Sequence, residues 1–597
     1  MPTMPREVPV LVVGAGPAGL TTALALSRYG VGHLVAERHA GTAHTPRAHI
    51  VNQRTVEILR HLGVEDRLHA VATSHELMRD NLWVTSLAGR EVARSEAWGT
   101  GLARAGEYAV ASPAPMANCP QTVFEPLLLD AAREAGSDIR FELEFASATV
   151  EEDGVTSTLV DRTTGEQHVV RSRYLLGADG ARSKVLATAG LRVEGPAGLA
   201  HAVNVWFKAD LTRYLAHRPG VLIWNVMPGP LPPLRLGGLI CHKPFEEFVL
   251  CFMHDPAQRS LAEWSEDEFV ARVRAAVGDP ALDVEVKGVA GWQVNAQVAT
   301  AYSAGRLLCL GDAVHRHPPT NGLGLNMSVA DAFNLAWKLA LVLAGHAGPG
   351  LLDTYSQERQ PVGDAGVRRA ITSLGELAAV DEALGFTPGQ STEDGWAALE
   401  LLDAPGPEGD ARRLALKEAV ALTDRQFNAH GIELGYRYTT GALVADDLPT
   451  VAEPPDPVLQ YVPTTAPGAR VPHARLEQDG HALSTLDLVD GLGFALLTGV
   501  GGEAWQTVAD DLTTRTGVRV DVHVIGGHRP GDLADPLGEW ADRREVGTSG
   551  AVLVRPDRHV AWRAPEWSAP EAAKLCADFD RILAVRPLHP HQTGDRS

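Results

Sequence analysis

The sequence predicts an α/β protein with a dinucleotide-binding unit, an inserted region of β-strands and a smaller C-terminal α/β unit. Three observations support this prediction. A strand, a glycine turn, a helix and a second strand follow one another in residues 8 to 40, apolar-aromatic strands occupy residues 203 to 254, and strands alternate with helices from residue 470 onward. At 597 residues, the chain is also too long for a single hydrophobic core.

Composition and charge limit the partners that the chain can have. There are 74 acidic and 53 basic residues, and the net charge of -21 repels nucleic-acid phosphates and anionic lipids. The longest apolar helical run, AFNLAWKLALVLAG, contains Lys338 and is too short to span a bilayer. The N-terminus has no secretion signal, and the five cysteines show neither CxxC nor metal spacing. We therefore expect a cytoplasmic protein with no nucleic-acid, membrane or metal partner.

The first motif is VLVVGAGPAGLTTALALSRYG, with Gly14, Gly16 and Gly19 in the order G-x-G-x-x-G. Gly14 allows a tight turn, Gly16 allows a pyrophosphate to approach the backbone, and Gly19 allows close helix packing. A second strand ends at Glu37, whose carboxylate can accept hydrogen bonds from ribose hydroxyls. The motif predicts dinucleotide binding rather than an ordinary glycine-rich turn, but it does not separate NAD from FAD.

Two further turns follow predicted strands. RYLLGADGARSKV contains a strand that leads into Asp179 and Gly180 before a helix that starts near Ser183, and alone it is better explained as a capped turn. RLLCL leads into Gly311 and Asp312, followed by PPTNGLGLN and a long helix. A rigid, glycine-lined corner on a helix N-terminus favours binding of a negatively charged group.

In chain order, these three segments resemble the fingerprint of the group A flavoprotein aromatic hydroxylases. PRAHIVNQRTVEILR, GDAVHRHPPTNGLG, FNLAWK and LLDTYSQER are most similar to the 2,4-dichlorophenol and phenol hydroxylase branch. The resemblance implies a Rossmann-type FAD-binding domain, an inserted mixed β-sheet substrate domain, and a C-terminal α/β domain of thioredoxin-like fold. The implied boundaries are 1–80, 106–200 and 300–400 for FAD binding, 81–105 and 201–299 for the substrate region, 401–465 for a helical segment and linker, and 466–597 for the thioredoxin-like domain.

The resemblance also implies roles for individual residues. Glu37 would bind the adenosine ribose, Arg47 the pyrophosphate, Gln121 the flavin and Asp312 the ribityl chain. Arg182 would contact NAD(P)H, although Leu186 stands where the family often has arginine. The implied cofactor-binding residues are Gly14, Gly16, Ala18, Gly19, Glu37, Arg38, Arg47, Gln121, Asp179, Asp312, Pro319, Gly322, Gly324, Leu325 and Asn326.

The implied reaction hydroxylates a phenol-like or heteroaromatic ring with FAD, NADPH or NADH, and O2, through a flavin C4a-hydroperoxide. Withdrawing the proton of a substrate hydroxyl makes the ring more nucleophilic, so a base beside it is useful. His49 is the candidate base, and packing of the cofactor loop is the alternative role. Trp206, Trp224 and Pro319 are candidate substrate contacts; Trp206 and Trp224, like Phe252, either line an apolar pocket or face a core.

The same motifs leave other functions open. An epoxidase or a halogenase-like flavin enzyme is one alternative, although the halogenase segment WxWxIP is missing, and a disulfide reductase would need CxxC. A non-catalytic flavin-binding sensor or scaffold is another. The hydroxylase itself would serve either catabolism or natural-product tailoring, with a small aromatic substrate and a possible homo-oligomeric state. His315 and His317 are expected to make structural hydrogen bonds.

Overall fold

The computed structural model describes residues 4–228 and 237–585. Its largest sheet has eight strands, five of which form a parallel core. In spatial order these five are Leu307–Cys309, Gln167–Gly177, Glu7–Val13, His33–Ala36 and Asp138–Arg140. The antiparallel strands are Leu143–Val150, Val155–Asp161 and Ser303–Ala304. Turns at residues 152–154 and 164–165 separate three of these strands, as the sequence predicts.

Six helices share one apolar core with this sheet. Glycine is required where the first helix packs, because a Cβ atom on Gly19 would lie 1.9 Å from the Gly14 carbonyl oxygen. Pro17 is the first residue of that helix, where its fixed φ favours helix initiation. The helices are Pro17–Arg28, Gln53–His61, Glu65–Val71, Gln121–Glu134, Lys184–Thr188 and Leu323–Ala344.

A seven-stranded sheet forms the second layer. It contains the three strands predicted between residues 203 and 254, together with four others that the sequence analysis does not identify. The helix Glu266–Val277 covers one face; it begins with a capping box of Ser265 and Glu268 and ends at left-handed Gly278. The strand order is Glu285–Val294, Ala200–Lys208, Glu247–His254, Gly238–Lys243, Leu222–Asn225, Asp80–Val84 and Glu91–Glu96.

The C-terminal unit has a four-stranded sheet in a thioredoxin-like arrangement. The parallel strands Phe494–Gly499 and Val520–Ile525 flank the helix Trp505–Thr516, and GVGGEAW forms the turn before that helix. The antiparallel strands Ala551–Val554 and Val560–Ala564 precede the last helix, Ala569–Ile582. Residues 586–597 of the predicted domain lie outside the described residues.

Shorter elements connect these layers. The remaining strands are Ile50–Val51, Ala117–Asn118, Val193–Glu194, Gln297–Ala299, His315–Arg316, Arg475–Gln478 and His481–Ser484. The remaining α-helices are Ala105–Ala111, Thr212–Leu215, Gly350–Leu384, Thr392–Glu400, Pro407–Leu422, Asp424–Phe427, His430–Leu434 and Glu539–Arg543. The 3₁₀ turns are His75–Met78, Gly180–Arg182, Leu261–Glu263, Gly311–Ala313, Thr320–Gly322 and Thr485–Leu488.

The helix Leu323–Ala344 is longer than the apolar run suggests. The segment Thr320–Ala344 has 25 residues and a mean hydropathy of 1.4 in its most apolar window, so its length and composition would allow it to cross a membrane. The expectation that it is too short was therefore wrong. However, 89% of that window is buried inside the protein, and the Lys338 ammonium lies 2.7 Å from Glu358. It is the central core helix of this fold.

The C-terminal unit is joined to the unit that contains the eight-stranded sheet through the protein interior. Trp337 of the central helix contacts Phe494 edge-on at 5.9 Å, and one continuous apolar cluster includes both sheets. Glu358 accepts hydrogen bonds from Arg555 and Lys338, each at 2.7 Å. Between the helix His430–Leu434 and the strand Arg475–Gln478 the chain forms no helix or strand, and residues 465–474 of this stretch are buried.

We predict that both units unfold together. Removing the buried Glu358 carboxylate leaves Lys338 and Arg555 without their shared partner, so Glu358→Ala should lower the free energy of unfolding by about 3–5 kcal/mol. Calorimetry should show one transition for the wild-type chain and for the variant. Glu382→Ala, at an exposed position of the same helix, is the control and should change stability by less than about 0.5 kcal/mol. Two separate wild-type transitions would contradict the shared core.

Candidate functional site

The three glycine-containing turns meet at one edge of the parallel sheet. Adjacent parallel strands end at Val13, Gly177 and Cys309, and their carboxyl ends point the same way. Backbone hydrogen bonds connect the strand ends: Ala178 N–H donates to Val13 O at 2.8 Å, and Leu310 N–H donates to Gly177 O at 3.0 Å. Ligands of open α/β sheets bind at this edge.

The first turn leaves space for a ligand at one glycine. Gly14 has φ +103°, and a Cβ atom there would lie 2.3 Å from Ala178 O, whereas a Cβ atom on Gly16 would meet nothing closer than Glu125 Oε1 at 3.9 Å. The helix after Gly16 has no side-chain cap. Glu37 accepts hydrogen bonds from Ala15 N–H and His39 N–H, both at 2.8 Å, which positions its carboxylate beside the turn. The turn therefore presents open backbone N–H groups to an anion.

A second helix begins without a side-chain cap at the corner of residues 318–326. Asn321 and Gly322 have φ values of +63° and +61°, and the helix Leu323–Ala344 begins here without a side-chain cap. Asn326 donates to Ile50 O and accepts from Asn52 N–H, both at 3.0 Å. Because this amide is already bonded to protein, a cofactor contact at Asn326 would involve its backbone.

Asp331 holds the Gly311 turn in place, and the sequence analysis does not identify it. Its buried carboxylate accepts hydrogen bonds from Gly311 N–H at 3.1 Å, His315 Nε2 at 2.8 Å and Arg359 Nε at 2.7 Å. His315 thus has the structural role that was expected. An acidic residue inside an otherwise apolar helix is the sequence signal that points to such a partner.

The remaining predicted cofactor residues surround this edge, in different environments. Arg47 is exposed and has no hydrogen bond or ion pair within residues 4–228 and 237–585, so its guanidinium is available to an anion. Asp179 accepts from Lys184 N–H at 2.7 Å and caps the following turn, which is the alternative role considered above. Arg38, Arg182, Asp312 and Pro319 are exposed, whereas Ala18 and Leu325 are buried.

Glu125 is a further group at this edge that sequence analysis does not identify. Its carboxylate accepts from Ala43 N–H and from Gln121 Nε2, both at 2.6 Å, and so holds the segment before Arg47. Burial raises the pKa of Glu125 above its usual range, while these hydrogen bonds oppose the change. The sequence signal for this contact is the spacing: Glu125 follows Gln121 by four residues on one helix, which places the two side chains side by side.

The face of the seven-stranded sheet opposite the helix Glu266–Val277 is only partly covered. Residues paired across neighbouring strands share a face, and so do residues two apart on one strand. Trp206 pairs with Val249, Val249 with Ile240, and Ile240 with Leu222. Trp224 lies two residues after Leu222, so both tryptophans lie on the same face. Asn204, Ile240, Cys251 and Met253 lie on this half-buried face, which we call the open face.

Phe252 lies on the other side of the sheet. It pairs with Val203, is 1% exposed and packs against Trp264 at 5.8 Å between ring centroids. Phe252 therefore faces the hydrophobic core rather than an apolar pocket. Trp206 and Trp224 lie on the half-buried open face, where the ring of Trp224 packs against Phe427 at 6.3 Å between centroids.

His49 lies between the open face and the cofactor edge. Its Nδ1 atom is 2.7 Å from Asn118 Oδ1, and Asn118 Nδ2 donates to Thr73 Oγ1 at 2.9 Å and to the Cys241 carbonyl at 3.4 Å. Because a carbonyl only accepts, the Asn118 amide must direct its oxygen at His49. His49 Nδ1 is therefore the donor, and Nε2 carries the free lone pair.

The environment keeps His49 neutral. Burial lowers its pKa to about 4, and the hydrogen bond to Asn118 opposes this change only partly. No protein group within the described ranges bonds Nε2, and the ring is partly exposed. His49 thus offers one neutral hydrogen-bond acceptor that has no protein partner in the described ranges.

Comparison with known proteins gives one consistent result. The family described as FAD binding domain matches residues 7–370, and the one described as aromatic-ring hydroxylase, C-terminal, matches residues 464–585. The chain is 41% identical over 581 residues to 2,4-dichlorophenol 6-monooxygenase of Delftia acidovorans, covering 97% of this chain and 98% of the relative. It is 35% identical over 605 residues to tetracenomycin A2 monooxygenase-dioxygenase of Streptomyces glaucescens, covering 97% of each.

Solved structures agree. The flavin-dependent monooxygenase PieE in complex with FAD and substrate is 51% identical, with a TM-score of 0.93, and the match covers 97% of this chain and 100% of that one. A ternary complex of aklavinone-11 hydroxylase with FAD and aklavinone is 32% identical, with a TM-score of 0.77 and coverage of 98% and 100%.

We predict that Gly16→Val blocks FAD binding without unfolding the chain. The nearest atom that the added Cβ atom meets is Glu125 Oε1 at 3.9 Å, but the side chain fills the space left open beside the helix N-terminus. FAD affinity measured by fluorescence quenching should fall at least about 100-fold, or about 2.7 kcal/mol. Gly19→Ala is the contrasting variant, because its Cβ atom would clash with Gly14 O and should lower thermal stability instead. Wild-type FAD affinity in Gly16→Val would contradict this site.

Proposed function

The chain belongs to the FAD-dependent aromatic-ring hydroxylases, and from this premise we propose that it hydroxylates a ring that already bears a hydroxyl group, with His49 accepting the hydrogen bond of that group. That the chain is an FAD-dependent aromatic monooxygenase follows from its family and its relatives. The role of His49 rests on one observation: the orientation of Asn118 leaves Nε2 as the unprotonated nitrogen of the ring.

The residues at the sheet edge fit FAD. We propose that Gly14, Gly16 and the helix after them bind the pyrophosphate, together with the free guanidinium of Arg47, and that Glu37 binds the ribose. The backbone of residues 322–326 would face the flavin ring with a helix N-terminus, which carries roughly +0.5 of a charge. When bound, FAD supplies electron transfer from NAD(P)H to dioxygen and transfer of one oxygen atom to the ring.

His49 would activate the substrate by sharing its proton. The pKa of His49 is about 4, and a phenol has a pKa near 10, so complete transfer in the resting complex is unfavourable by about 8 kcal/mol. A hydrogen bond to Nε2 still draws the proton away from the oxygen and raises the electron density of the ring. Substrates with more acidic hydroxyls, such as halogenated phenols or hydroxypyridines, would therefore react faster than unsubstituted phenol.

The open face supports a flat, apolar substrate. Trp206 and Trp224 mark two positions on it, three strands apart, with Ile240 and Cys251 between them. This breadth favours a ring with apolar substituents over a small, strongly polar one. Relatives include both a 2,4-dichlorophenol 6-monooxygenase and a putative polyketide hydroxylase, and we propose the same substrate range here. Homo-oligomer formation and a cytoplasmic location stay predictions.

We predict that His49→Ala separates cofactor binding from hydroxylation. The variant should bind FAD with wild-type affinity, because the side chain is held by Asn118 and not by the predicted cofactor residues. Hydroxylated product from 2,4-dichlorophenol should fall at least about 100-fold, measured by product mass per NADPH oxidised. His44→Ala, an exposed histidine in the same segment, is the matched control. Unaltered turnover in His49→Ala would exclude His49 as the base.

We predict that Asn118→Asp moves the acid limb of the pH profile upward. A carboxylate beside Nδ1 favours the charged imidazolium and should raise the pKa of His49 from about 4 by about 1–2 units. Since the base acts in its neutral form, activity present above this pKa would be lost at a higher pH than in the wild type. The measurement is kcat/KM from pH 4.5 to 8. Asn118→Ala removes the acceptor without adding charge, so the acid limb of its pH profile should not move to higher pH. If the acid limb of Asn118→Asp coincides with that of the wild type, His49 is not the base.

A further inference from the structure

A cavity lies beside the last strand of the seven-stranded sheet. It has a volume of about 250 Å³ and is enclosed by the end of the strand Glu91–Glu96, residues 101–104, and the helices Pro407–Leu422 and Asp424–Phe427. Its lining includes Ser95, Glu96, Arg104, Lys417, Val420 and Asp424. None of these is a predicted cofactor or substrate residue, so the proposed function gives this cavity no task.

Arg104 is a largely buried cation without a hydrogen bond in the described part of the chain. Its side chain is 20% exposed, and its guanidinium lies 3.6 Å from Glu107 Oε2 and 3.8 Å from Asp424 Oδ2. Both distances exceed the usual hydrogen-bond range of about 2.7–3.2 Å. The N–H groups of Arg104 are therefore available to a carboxylate, which an arginine binds best with two parallel hydrogen bonds.

The other polar groups of the cavity carry charges of both signs. Within residues 4–228 and 237–585, the exposed side chains of Lys417 and Glu96 have no hydrogen bond or ion pair. Asp424 is 29% exposed, and the Ser95 hydroxyl is buried and lacks a hydrogen-bond partner among those residues. Two cations and two carboxylates cancel, so a ligand of high net charge of either sign is disfavoured. A ligand with one carboxylate and one ammonium group complements all four.

The size and the apolar part of the cavity limit the ligand further. Its volume is below the range of about 300–1,000 Å³ that is typical of sites for drug-sized molecules. Ala103, Val420 and Ala421 provide an apolar wall beside the charged groups. The lining therefore fits a small zwitterion with an apolar side chain.

We propose that this cavity binds a free α-amino acid with an apolar side chain. The carboxylate of the ligand would accept hydrogen bonds from Arg104 and Lys417, and its ammonium group would donate to Glu96 and Asp424. The side chain would pack against the apolar wall. No bond is made or broken in this step. The proposal goes beyond the proposed function and does not depend on the role of His49.

The cavity is directly connected to the corner at residues 318–326. Asp424 lines the cavity, and the carbonyl oxygen of the next residue, Arg425, accepts a hydrogen bond from Asn321 Nδ2 at 2.8 Å. A ligand that holds Asp424 in place would also stabilise this contact and thus the corner that we propose for FAD. By thermodynamic linkage, the amino acid and FAD should then increase the affinity of each other by the same factor.

The first experiment tests whether both charges of the ligand are needed. FAD-loaded enzyme without NADPH is titrated calorimetrically with L-leucine, with 4-methylpentanoate, which lacks the ammonium group, and with 3-methylbutylamine, which lacks the carboxylate. Saturating 2,4-dichlorophenol is present in each titration to occupy the proposed substrate site. We expect L-leucine to bind with a Kd below about 1 mM, and each of the other two at least about tenfold more weakly.

The second experiment locates the site with variants. Arg104→Gln and Asp424→Asn should each weaken L-leucine binding at least about tenfold. Ala421→Trp, at an exposed position of the helix Pro407–Leu422, should block the cavity without disturbing the core. Lys208→Gln removes one positive charge from an exposed position of the same sheet and is the matched control, with wild-type L-leucine affinity. FAD affinity, measured by fluorescence quenching, should rise about threefold with saturating L-leucine in the wild type and stay constant in Ala421→Trp.

Three results would overturn parts of this proposal. If 4-methylpentanoate or 3-methylbutylamine binds as tightly as L-leucine, the ligand is not an amino acid. Wild-type L-leucine affinity in both Arg104→Gln and Ala421→Trp would exclude this cavity, and L-leucine binding that leaves FAD affinity unchanged would remove the link to the corner. Hydroxylation by His49→Ala is measured without amino acid, so loss of product there, together with no binding of L-leucine to the wild type, would refute only the cavity proposal.

Discussion

Buried polar side chains on the helix Leu323–Ala344 connect the segment after His49, the Gly311 turn and the C-terminal unit. Asn326 bonds the segment after His49, Asp331 bonds the Gly311 turn, and Lys338 pairs with Glu358. A buried charge or amide costs several kcal/mol when it lacks a partner, so each contact is satisfied in one arrangement only. A single rigid helix thereby aligns the cofactor edge with the candidate base.

This constraint gives the C-terminal unit a role that its sequence does not suggest. It has no CxxC pair, yet Arg555 reaches Glu358, and Arg470 pairs with the fully buried Glu57 on the helix Gln53–His61. That helix follows directly after the segment that carries His49. The unit therefore completes the charge balance of helices on which the site depends, and its sheet packs on the same core.

The local parts of the site could be predicted from sequence, and the long-range parts could not. Glycine turns such as the one at Gly14 leave a local signature, because their backbone needs φ values that other residues avoid. By contrast, alternation within one strand says which side chains share a face but not which face is covered, so Trp206 and Phe252 look alike until the helix Glu266–Val277 is placed. Partners such as Asn118 for His49, or Glu57 for Arg470, are set by tertiary contacts between distant segments.

The neutral partner of His49 fits the chemistry better than a charged one would. A carboxylate at position 118 would strengthen the base, but it would also place a fixed negative charge near the oxygen on which negative charge must develop. At the low effective dielectric of a buried site, that repulsion opposes ionisation of the hydroxyl. An amide fixes the tautomer without this charge, because its oxygen still accepts from Nδ1. The site thus favours a substrate hydroxyl that is acidic enough to ionise beside a weak base, which is the property expected of an electron-poor aromatic ring.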